Sequence, residues 1–236
     1  MTVSAELAPF ADRLANQRIS VNFVGMKNHF ALIAGIAAAV VLLSGCTSRF
    51  SFSRNVTVSD SIDGLFASRR SVRSYDATKS ISEEEVRTLL AAAQQAPSWA
   101  NRQPSRYYVA ISPEKLAAVR ECVGERNAQN VAGAPVLIVS TFVKGQSGFG
   151  RDVAVNEIGD GWGAYDNGLA NAYLILKARD MGFDTLIMGF RDSDKLRSIL
   201  AIPDSEEVLA VIALGYRAQE PGTPNHLALD EIVKFY

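Results

Sequence analysis

Residues 136–142, Val-Leu-Ile-Val-Ser-Thr-Phe, constrain this chain more than any other run in it. β-Branched and aromatic residues dominate the segment, Pro135 precedes it and Lys144-Gly145 follows, so it reads as a strand closed at both ends by turn formers. Three further stretches have strand character: Tyr107–Ile111, Asp184–Met188 and Val208–Tyr216. Helical segments alternate with them. Ser82-Glu83-Glu84-Glu85 has the form of a capping box, in which the Ser82 hydroxyl takes the third helical amide and Glu85 reaches back. Val86, Leu89, Leu90 and Ala93 follow at helical spacing, and Pro97 closes the run. Ser112-Pro113 supplies an N-cap and a first-turn proline for a helix to about Val123. A long helix is expected from Trp162 to Asp180, with Tyr165, Leu169, Ala172, Tyr173 and Leu176 on its apolar face and Gly182 as its left-handed stop. Asp194–Ala201 reads as a short helix turning Leu196, Ile199 and Leu200 inward, and Leu229–Phe235 as an amphipathic tail. This spacing suits a parallel α/β sheet and an α+β sheet alike.

The pattern begins near Ser59. Ahead of it, residues 30–43 form an apolar run that is short for a bilayer-spanning helix and right for the core of a signal peptide. Met26-Lys27-Asn28-His29 precedes the run, and Leu43-Ser44-Gly45-Cys46, which looks like a bacterial lipobox, follows it. Cys46 is therefore expected to be lipidated and to become the mature N-terminus. Met26 then stands as a second candidate for the true start beside Met1. Residues 49–60, rich in Ser and Thr, read as a tether. The division expected is a leader over 1–58, with its signal-type segment at 26–46, and a folded domain over 59–236.

Several classes of function fall away on composition and motif. The net charge of -1 advertises neither nucleic acid nor an acidic surface. Two histidines and two cysteines, Cys46 and Cys122, give no zinc-ligand spacing, so no metal site is expected. A Gly-x-Gly-x-x-Gly turn, a P-loop and a Gly-x-Ser-x-Gly elbow are all missing, which disfavours a Rossmann site, an NTPase and a hydrolase.

What remains is carried by two segments. Arg69-Arg70-Ser71-Val72-Arg73 packs three guanidiniums and a hydroxyl into five residues, the groups that bind a terminal phosphate through charge-assisted, bidentate hydrogen bonds. Ala96-Pro97-Ser98-Trp99-Ala100-Asn101-Arg102-Gln103-Pro104 is a turn-prone run offering a hydroxyl and two carboxamides. Together with Ala134-Pro135-Val136, Gly182–Phe190 and Leu214-Gly215-Tyr216, in that order, these segments resemble the FMN-dependent nitroreductase family over about residues 61–233.

The resemblance implies an α+β homodimer with a mainly antiparallel sheet flanked by helices and FMN at the subunit interface. By it, Arg69, Arg70, Ser71 and Arg73 match positions that hold the phosphate and the ribityl or pyrimidine side of the flavin. Pro97 and Ser98 match a segment supplied by the other subunit, with Asn101 and Gln103 in the same loop. Met188 and Gly189 match the place where backbone approaches the ring near N5. A glycine suits that place because it lets the chain lie against a flat cofactor; the alternative from the residue alone is a loop glycine needing positive φ. Many relatives add Arg or Lys near the C-terminal tail. Here only His226 stands near that position, with Arg217 at a different spacing.

The activity implied is a flavin oxidoreductase, passing electrons in ping-pong fashion from NAD(P)H or another donor to a nitroaromatic or quinone-like acceptor. The chemistry resides on flavin N5, so no side chain is assigned as acid, base or nucleophile. The rival reading is a non-catalytic, membrane-tethered flavin-binding protein. The lipobox points to a lipoprotein on the cell envelope. Without processing, the enzyme is expected in the cytoplasm.

Overall fold

A computed structural model of the chain describes residues 61–236. The leader, the segment at 26–46 and Cys46 lie outside the described residues. Four strands form the main sheet: β1 (Ser105–Ala110), β2 (Val136–Val143), β5 (Asp184–Met188) and β6 (Glu206–Gly215), in the order β1-β2-β6-β5. Each neighbouring pair is antiparallel, which settles the α+β alternative. A two-residue ladder, β3 (Phe149–Gly150) with β4 (Val153–Ala154), stands apart from the sheet.

Alternation along the strands divides the core into two layers. Leu137, Val139, Val211 and Ala213 face one side, beneath α3 (Pro113–Glu121), α4 (Glu125–Asn130) and α6 (Ser193–Leu200). Val136, Ile138, Ile212 and Leu214 face the other, beneath α2 (Glu83–Ala93) and α5 (Gly161–Asp180). The capping box opens α2 as expected, with the Glu85 N–H donating to Ser82 Oγ at 3.2 Å and the Ser82 N–H to Glu85 Oε2 at 2.8 Å. Gly182, at φ 84°, ends α5, and the Phe183 N–H reaches back to the Ala178 carbonyl at 2.8 Å.

Helix α5 corrects the sequence reading. Its buried face carries Asp166, Asn167, Ala170, Asn171, Leu174 and Ala178, whereas Tyr165 and Tyr173 stand outside at 59% and 44% exposure. Hydrogen bonding explains the inversion. Ser140 Oγ lies 2.7 Å from Asn167 Oδ1 and 3.0 Å from Asn171 Oδ1, and Asn167 Nδ2 donates to the Thr141 carbonyl at 2.9 Å. A polar stripe whose groups are all partnered can be buried, which frees the apolar stripe to face outward. The C-terminal tail behaves likewise: α7 spans only Leu229–Ile232, and Leu229, Ile232 and Phe235 are exposed. An additional helix, α1 (Ile62–Ser68), is capped by Ser61 and leaves Ile62 and Phe66 exposed.

Candidate functional site

The basic segment leaves the end of α1 and runs along the outer edge of β5. The Val72 N–H donates to the Thr185 carbonyl at 3.0 Å, and Ser71 forms a parallel bridge with Thr185. Further on, the Asp76 N–H reaches the Tyr216 carbonyl at 2.9 Å and the Ala218 N–H reaches the Ser74 carbonyl at 3.0 Å. Residues 71–76 are thereby fastened to the strand ends where β5 starts and β6 stops.

The three guanidiniums are not equivalent. Arg70 Nη1 folds back over the end of α1, donating to the carbonyls of Ala67 and Arg69, the unpaired acceptors a helix C-terminus presents. Among the described residues, Arg73 Nη1 donates only to the Ser71 carbonyl, at 3.3 Å. The Arg69 guanidinium makes no hydrogen bond or ion pair among the described residues. A cavity of about 200 Å³ opens beside Ser71, Arg73 and Ser74, closed by Gln219, Pro221 and Gly222 of the C-terminal segment. Gln219 was not among the expected site residues. Nothing in its local sequence marks it, because the fold of the returning chain brings it there.

The question left by the missing basic residue is answered in part. Arg217 is committed elsewhere: Nε and Nη2 grip both oxygens of Asp184, Nη1 meets Glu220 Oε1, and Nη2 also lies 3.4 Å from the Ser68 carbonyl. The hydrogen bond to Asp184 holds the Arg217 pKa above even the ordinary arginine range. His226 is exposed on the C-terminal segment.

Met188 and Gly189 close β5 on that same edge. Beyond Thr185, the outer side of this strand has no strand partner among the described residues. Met188 turns its side chain into the core, while Ile187 is exposed and Gly189 lies open. Gly189 does not have positive φ, and a Cβ built on it would meet nothing of this chain within 4 Å. The need for a special φ is therefore not what places glycine there.

The second segment forms a tight loop carrying three non-glycine residues in the left-handed region: Ala100 (φ 45°), Asn101 (φ 55°) and Gln103 (φ 50°). Such conformations persist only when surrounding bonds enforce them. Ser98 Oγ accepts the Gln103 N–H at 2.9 Å, Gln103 Nε2 donates to Asn101 Oδ1 at 3.2 Å, and the Trp99 N–H donates to Asp166 Oδ2 at 2.9 Å. Behind the loop lies a cavity of about 410 Å³, lined by Pro97, Ser98, Gln103, Tyr107 and Asp166 among others. The Tyr107 hydroxyl is buried there without a partner among the described residues, and burial pushes its pKa well above the ordinary phenol value. Asp166 was missed at the sequence level. Its signal was the polar stripe Asp166, Asn167 and Asn171, which sequence alone assigns to solvent.

Within one chain the two segments do not meet. Ser71 sits beside Thr185, level with Leu214 and Val136, whereas Ser105, just after the loop, pairs with Phe142 at the far end of β2 and on the opposite edge. Four strand spacings across, from the segment outside β5 to β1, and the run from Val136 to Phe142 along put these corners on the order of 28 Å apart.

Fold and site together define a class: an α+β chain with an antiparallel sheet between helical layers, carrying a basic edge at one corner and a strained polar loop at the other. Over residues 66–216 the chain matches the Nitroreductase family, and it belongs to that family. An NADH dehydrogenase of Thermus thermophilus is 28% identical over 188 residues, covering 70% of this chain and 91% of the relative. A nitroreductase family protein of Streptococcus pneumoniae TIGR4 superposes with a TM-score of 0.66 at 22% identity, covering 75% of this chain and all of its own (100%). An oxidoreductase containing FMN superposes with a TM-score of 0.57 at 27% identity, over 67% of this chain and 78% of its own.

Proposed function

We propose that the chain is an FMN-dependent oxidoreductase whose cofactor site is shared between two copies, taking electrons from NAD(P)H or another donor and passing them to a nitroaromatic or quinone-like acceptor. The observation that carries this reading is the separation of the two segments. The basic edge and the loop sit on one ligand only if the loop comes from a second chain. The outward apolar face of α5, with exposed Ile62 and Phe66 on α1, supports such pairing.

The residues present fit FMN. Arg69 and Arg73 have guanidinium capacity to spare for a phosphate, and the Ser71 hydroxyl lies between them in sequence. Three residues further along the edge from Thr185, a span of about 10 Å, Met188 and Gly189 reach open space for a flat ring, with the Gly189 carbonyl held by Arg191 Nη1 at 2.8 Å. When bound, the flavin supplies the redox chemistry by accepting a hydride at N5 and returning electrons to an acceptor. The chain's own work is to neutralise the phosphate, lay the ring against the β5 edge and shield it with the loop of the second copy. The dehydrogenase name of the Thermus relative and the FMN of the structural neighbour support this reading over a non-catalytic carrier.

The test is direct. Purified protein is expected to be yellow with about one FMN per subunit, and anaerobic NADH or NADPH is expected to bleach it. A colourless protein that takes up no FMN overturns the reading. One that binds FMN, yet is reduced by neither nucleotide, overturns NAD(P)H as donor.

The leader stands as a separate proposal, with Cys46 lipidated and the mature chain tethered to the cell envelope. Intact mass of the membrane fraction tests it, and a native chain that keeps the residues upstream of Cys46 overturns it.

A further inference from the structure

We infer that Asp166 is a positioning residue that sets the conformation of the 98–103 loop and, through it, the loop's hold on the flavin. This rests on the cofactor reading above. Asp166 is only 3% exposed, yet no Lys or Arg pairs with it among the described residues. Its hydrogen bond is the one from the Trp99 N–H at 2.9 Å. A carboxylate buried without a cation is costly, and a neutral Asn at the same place could accept the same proton. What the charge adds is strength, because hydrogen bonds to an ionised acceptor are roughly twice as strong as neutral ones.

The loop needs that strength. Trp99 sits at the head of a turn whose other members depend on it and on Ser98. The Arg102 N–H donates to the Trp99 carbonyl at 2.9 Å, the Asn101 N–H to the Ser98 carbonyl at 3.0 Å, and the Gln103 N–H to Ser98 Oγ at 2.9 Å. Ala100, Asn101 and Gln103 are all left-handed, so release of Trp99 lets three unfavourable backbone conformations relax together. The residues then displaced are Ser98, Asn101 and Gln103, which the flavin reading places at the cofactor.

The carboxylate itself cannot swing away to follow the loop. Asn167 and Asn171, on the same face of α5, are tied to Ser140 and the Thr141 carbonyl on β2. Close to the helix start, Gly163 lies against the Phe142 ring, where a Cβ would collide. Helix α5 is thereby fixed in rotation and height over the sheet, and Asp166 transmits that fixed position to the loop.

The experiment compares Asp166→Ala, Asp166→Asn and Asp166→Glu in the full chain by two readouts: FMN affinity, and amide hydrogen exchange over 97–104 without added flavin. Loss of the charge-assisted bond in Asp166→Ala is expected to weaken FMN binding about tenfold. The same change should remove exchange protection at Trp99 while β2 and β6 stay protected. Asp166→Asn keeps the acceptor without the charge and is expected to fall between the parent and the Ala variant in both readouts. Asp166→Glu keeps the charge but moves the oxygen, and is expected to behave like Ala. It also serves as the test if the Ala variant fails to fold. Unchanged protection over 97–104 in the Ala or Glu variant overturns the positioning role, and so does looser exchange with unchanged FMN affinity. If the parent binds no FMN, the cofactor reading fails on its own account. The exchange result still decides whether Asp166 holds the loop.

Discussion

Arg217 and Asp184 form a two-point ion pair, Nε to Oδ2 at 2.8 Å and Nη2 to Oδ1 at 2.5 Å, where β5 begins and β6 has just ended. The Asp184 side chain is 2% exposed and also takes Arg179 Nη1 at 3.1 Å. Because Arg217 Nη2 additionally reaches the Ser68 carbonyl, the pair braces the entry to the basic segment from behind. Arg217, a candidate from sequence for the missing basic residue, instead fixes the backbone that carries Arg69 and Arg73.

Breaking that brace is expected to be expensive. Arg217→Ala leaves a buried carboxylate with one cation in place of two, and removal of one partner from a buried pair costs on the order of 3 kcal/mol. Urea denaturation should show a lower midpoint with an unchanged slope. FMN affinity should fall with it, since residues 68–73 lose their support.

The guanidiniums should rank by their internal partners. Arg69→Ala and Arg73→Ala each remove a charge-assisted contact, so FMN affinity is expected to drop about tenfold or more per site, measured by flavin fluorescence titration. Arg70→Ala is expected to act mainly on stability, by uncapping the end of α1. An equal loss of FMN affinity at all three positions would show that the occupied guanidinium of Arg70 turns to the phosphate when ligand arrives.

Tyr165 tests the second copy. It is exposed on the outward face of α5, so Tyr165→Asp should leave the fold intact while placing a charge in an apolar contact between copies. Sedimentation is expected to show a shift from dimer to monomer, with FMN lost in parallel. A flavin-loaded monomer would refute the shared site.

Tyr75 sets an alkaline limit. It is 7% exposed, its hydroxyl has no partner among the described residues, and burial, followed by the nearby Asp184 charge, pushes its pKa well above the ordinary value of about 10. The folded chain therefore keeps this proton after the unfolded chain has released it. Stability from this group is whole below pH 10 and falls as pH rises beyond it, by up to about 1.4 kcal/mol per pH unit. Tyr75→Phe is expected to be neutral or stabilising at pH 7 and to flatten the alkaline decline in denaturation midpoints. A large loss at pH 7 would reveal a partner for the hydroxyl.

Much of this protein is determined by sequence alone. The Ser82–Glu85 box, the Ser112-Pro113 start and the Gly182 stop are each decided within a few residues, and all three stand in the structure as expected. The strands at 136–143, 184–188 and 206–215 follow from apolar runs between turn formers, and the order of the motifs was enough to identify the family. Other features depended on groups distant in the chain. Which face of α5 is buried was decided by Ser140 and the Thr141 carbonyl, which satisfy Asn167 and Asn171 from β2 and so reverse the side that hydropathy selects. Arg217 is separated from Asp184 by most of β5, α6 and β6, and only the antiparallel pairing of β5 with β6 turns it from a candidate phosphate ligand into a brace. The placement of the basic edge and the strained loop at opposite corners is likewise a property of strand order. Hydrogen bonds that cap and stop helices are local, whereas burial of charge and the meeting of distant segments are settled only when the whole sheet has formed.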